Sequence, residues 1–157
     1  MIRRSTGNDA AEISRVFVSA RDGMTYLPRI PDEDRPLLGG WFLDRAEIWV
    51  AEDDARIVGF MGVDGTELSH LYVEPLAQNH GVGTRLLERA KKLRPQRLEL
   101  WVFQKNDGAR RFYERQGFRL VRLTDGATNM EREPDALYEW LSPAPSPAAE
   151  DRGPSGR

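Results

Sequence analysis

The 157-residue chain has the length of one domain, enough to bury a real core. Its hydrophobic share of 39% and charged share of 31% are those of a soluble globular protein, and no run approaches the roughly 18 apolar residues of a membrane span. A net charge of -2 argues against a dedicated nucleic-acid binder, and the lack of cysteine excludes disulfides, thiolate metal sites and a cysteine nucleophile. With two histidines and no ligand spacing, no metal is expected; the N-terminus has no apolar signal core, and a cysteine-free chain fits the cytoplasm.

Ile2–Arg4 reads as a short opening strand. A helix capped by Asn8 or Asp9 runs to about Ala20, with Ile13, Val16, Phe17 and Ala20 on one face. Residues 24–40 carry Pro28, Pro31 and Pro36 and read as irregular, with a short helix near 32–38. Long segments of this kind often shape binding sites. Three strand signals follow. Residues 47–52 alternate, with Ile48 and Val50 on one face. Residues 56–63 return after a turn at 53–55, and Glu67–Val73 follows a hairpin turn at Asp64-Gly65. Together they predict an antiparallel meander.

The pattern then changes. Glu74-Pro75 ends the strand, and a loop leads into a helix over 84–93 with Leu86, Leu87, Ala90 and Leu93 as its apolar stripe. Arg97–Phe103 is a strongly apolar strand, so a parallel crossover is expected between it and Glu67–Val73. A further helix covers 108–116, closed by Gly117. Residues 118–123 and 138–141 read as the last strands. The predicted fold class is α/β: one mixed central sheet flanked by helices, antiparallel strands first and a parallel crossover near the middle. One domain is expected over residues 1–142, and a disordered tail rich in Pro, Ala, Ser and Gly over 143–157.

The most informative stretch runs from Leu71 to Leu87, where a strand enters a glycine-containing loop and the loop enters a helix. Gly81 and Gly83 let the backbone turn tightly and approach a ligand. Free N–H groups at the helix start, with the helix dipole behind them, favour a phosphate, and Thr84 adds a hydroxyl. Taken alone, two glycines describe a tight strand-to-helix turn equally well. Neither a Gly-x-Gly-x-x-Gly fingerprint nor a Gly-Lys-Ser/Thr loop is present.

The stretch resembles the acyl-CoA-binding motif of the GNAT superfamily of N-acetyltransferases, Gln/Arg-x-x-Gly-x-Gly/Ala. Here it reads Gln78-x-x-Gly81-x-Gly83, after a strand end Leu71-x-Val73-x-Pro75. Farther on, Asn106-x-x-Ala109-x-x-x-Tyr113 followed by Gly117-Phe118 matches the family's second motif. The resemblance covers about residues 47–123. It implies acetyl-CoA as co-substrate, with the pantetheine arm in a notch between the strands Glu67–Val73 and Arg97–Phe103. The backbone of Leu71, Tyr72 and Val73 would orient the thioester. The N–H groups of His80, Gly81, Val82, Gly83 and Thr84 would take the pyrophosphate, and Asn106 and Ala109 would border the arm. Asn106 also reads as a helix N-cap, and both can hold.

By the same resemblance Tyr113 is the acid that assists the leaving thiolate; it also reads as helix packing. Full proton transfer from tyrosine to a thiolate is uphill by about 2 kcal/mol at reference values, so a hydrogen bond is the safer role. Glu67 is the candidate base, directly or through water, and reads otherwise as an exposed turn carboxylate. Strand parity places Glu67 with Ser69, Leu71 and Val73, unless a family bulge intervenes, and puts His70 on the opposite face as a packed histidine. Candidates around the acceptor are Tyr26, Asp32, Glu33, Asp34, Trp41, Glu131 and Glu133, with Arg29, Arg35 and Arg132 suiting a carboxylate-bearing acceptor instead. The expected function is transfer of acetyl from acetyl-CoA to a primary amine of a small molecule or peptide. The resemblance implies direct attack of the amine in a ternary complex, and the lack of cysteine rules out a cysteine acyl-enzyme route. The alternatives are another acyl-CoA donor, or a CoA-binding sensor of the same fold. No nucleic-acid, membrane or metal partner is expected; a homodimer through the last strands fits the resemblance.

Overall fold

The computed structural model describes residues 1–143, so the expected tail lies largely outside the described residues. Seven strands form one sheet in the order β1-β2-β3-β4-β5-β7-β6. They are β1 (Ile2–Arg4), β2 (Glu47–Asp53), β3 (Arg56–Asp64), β4 (Glu67–Val73), β5 (Arg97–Phe103), β6 (Arg119–Leu123) and β7 (Asp135–Leu141). Every pairing is antiparallel except β4 with β5, as the expected crossover requires. The helices are α1 (Ala10–Arg21), α2 (Leu38–Arg45), α3 (Val82–Leu93) and α4 (Asp107–Arg115).

Alternation along the strands divides the core into two layers. Met61, Val63, Leu68, Leu98, Leu100, Val102 and Tyr138 point to the face covered by α3 and α4. There Leu86 and Leu87 are fully buried, each contributing about 2 kcal/mol of apolar burial. Ile48, Val50 and Phe60 point to the other face and pack on Ile13, Val16 and Phe17 of α1 and Phe42 of α2.

Three local readings change. The segment read as a short helix near 32–38 is a 3-10 turn at Arg35–Leu37 that continues as α2 to Arg45. Gly39 and Gly40 disguise this helix, because glycine is a poor helix former. Gly39 is required where α1 and α2 cross: a β-carbon there would fall 1.8 Å from the Ala10 carbonyl oxygen. The hairpin loop after β3 is Gly65-Thr66 and not Asp64-Gly65, because Asp64 pairs with Glu67 and Gly65 takes the positive φ of +59°. The last strand begins at Asp135, three residues before the reading from sequence, because Asp135 and Ala136 already pair with Phe103 and Val102.

Asp9 does not spend its carboxylate on capping α1. It accepts from the Thr6 N–H at 2.8 Å and from two Arg3 nitrogens at 2.9 Å. This ties the start of α1 to β1.

Candidate functional site

The sheet opens at β4 and β5. The two strands are in register only at Glu67 and Glu99, beside a bond from the Glu99 N–H to the Thr66 carbonyl at 3.0 Å. Beyond that point they separate. On the far side of β4 the Glu74 N–H donates to the Val58 carbonyl at 2.9 Å. In an antiparallel ladder this fixes which residues bond to β3, and it turns the backbone groups of Leu71 and Val73 toward the gap. The gap is a narrow cleft walled by residues 68–72 of β4 and 100–103 of β5, and closed by Met24, Asn106, Ala109 and Tyr113.

Beyond the end of β4 at Val73 the chain enters α3 through the loop 74–81. Gly81 caps this helix at φ +83°, a left-handed conformation that costs a residue with a β-carbon about 1–2 kcal/mol. The first helical bond runs from the Arg85 N–H to the Gly81 carbonyl at 3.0 Å. The N–H groups of His80, Gly81, Val82, Gly83 and Thr84 donate to no other described residue. This unpartnered run at the positive end of a twelve-residue helix suits a phosphate. No acidic residue stands in the first turn of α3 to oppose an anion. Gln78 folds back, its side-chain amide donating to the Val73 carbonyl at 3.0 Å, and so fixes the loop against the end of β4. The Thr84 hydroxyl accepts from the Gln116 side chain at 3.4 Å. Glu74, between Val73 and Pro75, is buried against Arg15 at 2.6 Å and Arg56 at 3.1 Å, which anchors the loop to α1 and β3.

Asn106 takes the capping role read for it and stands in the cleft lining. Its Oδ1 caps α4 by accepting from the Ala109 N–H at 3.2 Å. Two helical turns on, Tyr113 is buried in the cleft wall. Its hydroxyl has no hydrogen-bond partner among the described residues, and burial raises its pKa well above the ordinary tyrosine value. It is therefore a persistent hydrogen-bond donor rather than an acid that gives up its proton.

The parity argument for β4 is overturned, and a bulge is the reason. Gly62 faces His70, but Val63 faces Leu68, so Ser69 is an extra residue in β4. Glu67 thereby shares a face with His70 and Tyr72, the face of α1 and α2, and not with Leu71 and Val73. Glu67 stands at the closed end of the cleft, next to its first lining residue Leu68, and is not itself part of the lining. Burial, with Asp64 and Glu99 nearby, raises its carboxyl above the usual range. His70 sits edge-on to Phe42 at 4.5 Å between ring centroids, and burial lowers its pKa to about 4. It is a packed neutral histidine.

Two features escaped the sequence reading. Tyr72, considered only for its backbone, has a side chain packed edge-on to Phe17 at 4.8 Å, and burial pushes its hydroxyl up to about 12. That hydroxyl lies close enough to Arg21, Glu131, Tyr26 and Tyr113 to feel their charges. The second is an open cavity of about 450 Å³ beyond β5, lined by Trp101, Phe103, Arg122, Asn129, Glu131 and Asp135 among others. Tyr26, Glu131 and Glu133 are acceptor-side candidates from sequence, but the part of the Tyr72 side chain beside them is visible only in space.

Comparison with known proteins places this arrangement. The model of the acetyltransferase (GNAT) domain matches residues 44–120. The chain is 35% identical over 127 residues to the peptidyl-lysine N-acetyltransferase YjaB of Escherichia coli, covering 76% of this chain and 82% of the relative. It is 37% identical over 87 residues to the peptidyl-lysine N-acetyltransferase YiaC of the same organism, a match that spans 55% of this chain and 59% of that relative's length. An uncharacterized N-acetyltransferase of Archaeoglobus fulgidus is 31% identical over 135 residues, covering 75% of this chain and 92% of the relative. The solution structure of apo YjaB superposes with a TM-score of 0.73 at 26% identity, covering 90% of this chain and 97% of that one. The same fold, at 20% identity and a TM-score of 0.69, occurs in the PaiA N-acetyltransferase of Thermoplasma acidophilum in complex with coenzyme A, covering 90% and 98%.

Proposed function

This chain belongs to the GNAT family of acetyltransferases, and from that premise we propose that it transfers the acetyl group of acetyl-CoA to the primary amine of a peptidyl lysine or a similar alkylamine. One observation carries the reading. A strand gap and the Tyr113 hydroxyl, which has no hydrogen-bond partner among the described residues, share one cleft, and the strand that walls it leads directly into the run of five unpartnered N–H groups. Acetyl-CoA supplies an activated acyl group and a sulfur leaving group. The N–H groups of residues 80–84 bind its pyrophosphate. The backbone of Leu71 and Val73 aligns the arm and offers an N–H to the thioester oxygen. Asn106 and Ala109 close the cleft beside it.

Tyr113 donates a hydrogen bond to the departing sulfur. Complete transfer of its proton is already uphill by about 2 kcal/mol at ordinary values, and burial makes it more so. Glu67 takes the amine proton. Because it stands just outside the cleft lining, the proton reaches it through water, and its raised pKa brings it nearer to the task. The amine attacks the thioester directly in a ternary complex, and the absence of cysteine excludes a cysteine acyl-enzyme. The acceptor class rests on the two Escherichia coli relatives, named as peptidyl-lysine acetyltransferases.

Free-thiol release from acetyl-CoA, measured with lysine peptides and a panel of small amines, tests this reading. Tyr113→Phe is expected to lower kcat by about 100-fold while leaving the acetyl-CoA affinity within about twofold. Absence of any thermal stabilisation by acetyl-CoA overturns the donor site. Stabilisation by acetyl-CoA with no thiol release from any amine overturns the enzymatic reading in favour of a CoA sensor.

A further inference from the structure

Among the described residues three buried side-chain polar atoms lack a hydrogen bond: Arg21 Nε, at the end of α1, and two oxygens on the acceptor side of the cleft. One is the Tyr26 hydroxyl, from the connection between α1 and α2. The other is Oε2 of Glu133, from the loop between β6 and β7. Glu133 is 9% exposed, and an isolated carboxylate at that depth is costly. Its one charged partner is Lys105, whose Nζ lies 3.4 Å from Oε2 without hydrogen-bond geometry. The same Nζ stands over the ring of Tyr26, 5.8 Å from its centroid.

The place is next to the cleft. Tyr26 packs edge-on to Phe103, which lines it, and Lys105 immediately precedes Asn106, which closes it. The pocket is also braced. Asn129 donates to the Glu133 carbonyl at 2.7 Å and accepts from the Glu133 N–H at 3.2 Å, and its amide also reaches Asp135 at 3.0 Å. The charges felt at the Tyr26 hydroxyl are Glu133 first, then Arg21, then Asp107, which is two carboxylates against one guanidinium. A carboxylate, a phenol oxygen and an aromatic face form a receptor for a primary ammonium. The cation now there is a primary ammonium on an exposed, flexible stem, one of only three lysines in the chain.

We propose that Tyr26 and Glu133 seat the ammonium group of an alkylamine acceptor, and that Lys105 occupies this seat in the free protein as an internal surrogate. The inference rests on the acyl transfer proposed above. An arriving acceptor is charged at neutral pH and displaces Lys105 from Glu133. The acetylated product is a neutral amide and has no claim on the carboxylate. Lys105 then returns, and the same pairing that competes with the substrate assists release of the product.

The test is calorimetric titration of the full chain with a blocked lysine, N-acetyl-lysine-N-methylamide, at pH 7 and in the presence of CoA. Lys105→Met keeps the stem and removes the charge; binding is expected to tighten several-fold. Glu133→Gln is expected to weaken it about tenfold, and the double variant to follow Glu133→Gln. Lys105 is exposed, so its variant tests the seat even if Glu133→Gln fails to fold. Unchanged or weaker binding to Lys105→Met overturns the inference, as does the absence of binding to every variant. Thiol release measured in parallel separates the two proposals. Release without the binding shifts removes the seat and leaves the enzyme. The binding shifts without release keep the seat and remove the enzyme.

Discussion

On the side of the cleft assigned to acetyl-CoA the chain presents backbone: N–H groups of residues 80–84 and the open edge of β4 at Leu71 and Val73. On the acceptor side it presents side chains: Tyr26, Tyr72, Lys105, Glu131 and Glu133. The first wall comes from one continuous stretch of chain, joined by α4. The second draws on segments separated by tens of residues. A backbone site tolerates sequence change wherever its turns and helix start persist, so its signature is a few glycines and a cap. A side-chain site can change its recognition by single substitutions in loops, without disturbing the fold. The difference explains how one fold can keep a common donor while varying its acceptors.

Four changes break or sharpen this contrast. Gly39→Ala has the largest expected effect. Its β-carbon would lie 1.8 Å from the Ala10 carbonyl oxygen, where α1 and α2 cross and support the acceptor wall. A loss of at least about 3 kcal/mol is expected in denaturant unfolding. Wild-type stability for this variant would show that the two helices do not meet as described.

Acidification acts on the same wall through His70. Its pKa is lowered by burial, from 6.5 to about 4, so the unfolded chain takes the proton first. Its contribution is complete above pH 6.5 and is lost as pH falls through about 4, a difference of about 3 kcal/mol. The stability of wild type relative to His70→Leu should fall by this order between pH 7 and pH 4. A constant difference would mean that His70 is solvated.

Gly81→Ala probes the backbone wall. The left-handed φ of +83° strains any β-carbon, and relief of the strain rotates the N–H groups out of alignment. Acetyl-CoA is expected to bind about tenfold more weakly, about 1.4 kcal/mol, and the lysine affinity should not change. Equal losses for both ligands would erase the distinction between the walls.

The smallest effect on stability is that of Glu67→Gln, at the closed end where the walls meet. A carboxyl whose pKa is raised in the fold contributes stability at low pH and loses it as pH rises through that value. At pH 7 the variant should therefore melt slightly higher than wild type, while transferring acetyl more slowly. A lower melting temperature with unchanged turnover would make Glu67 a structural residue.

How legible these parts were follows from their construction. The strand Arg97–Phe103 was read to the residue, since its alternation and flanking breaks are local. Helix α2 was missed beyond Leu38, its first residue, because Gly39 and Gly40 lower helix propensity, and the close contact with Ala10 that demands Gly39 is a tertiary fact. The face of Glu67 was misassigned because one extra residue, Ser69, inverts every alternation before it, and a bulge has no marker in this sequence. The capping role of Asn106 was legible because capping is local.

The sequence by itself determined the element order, the glycine-led turn into α3 and the positions of Asn106 and Tyr113. These depend on interactions within a few residues of chain, which leave periodic and spacing signatures. Only the tertiary structure decided how far β4 and β5 separate, which face Glu67 occupies, and that Tyr26, Lys105 and Glu133 meet. Those outcomes depend on register and on contacts between distant segments, where burial and charge act through space and leave no pattern along the chain.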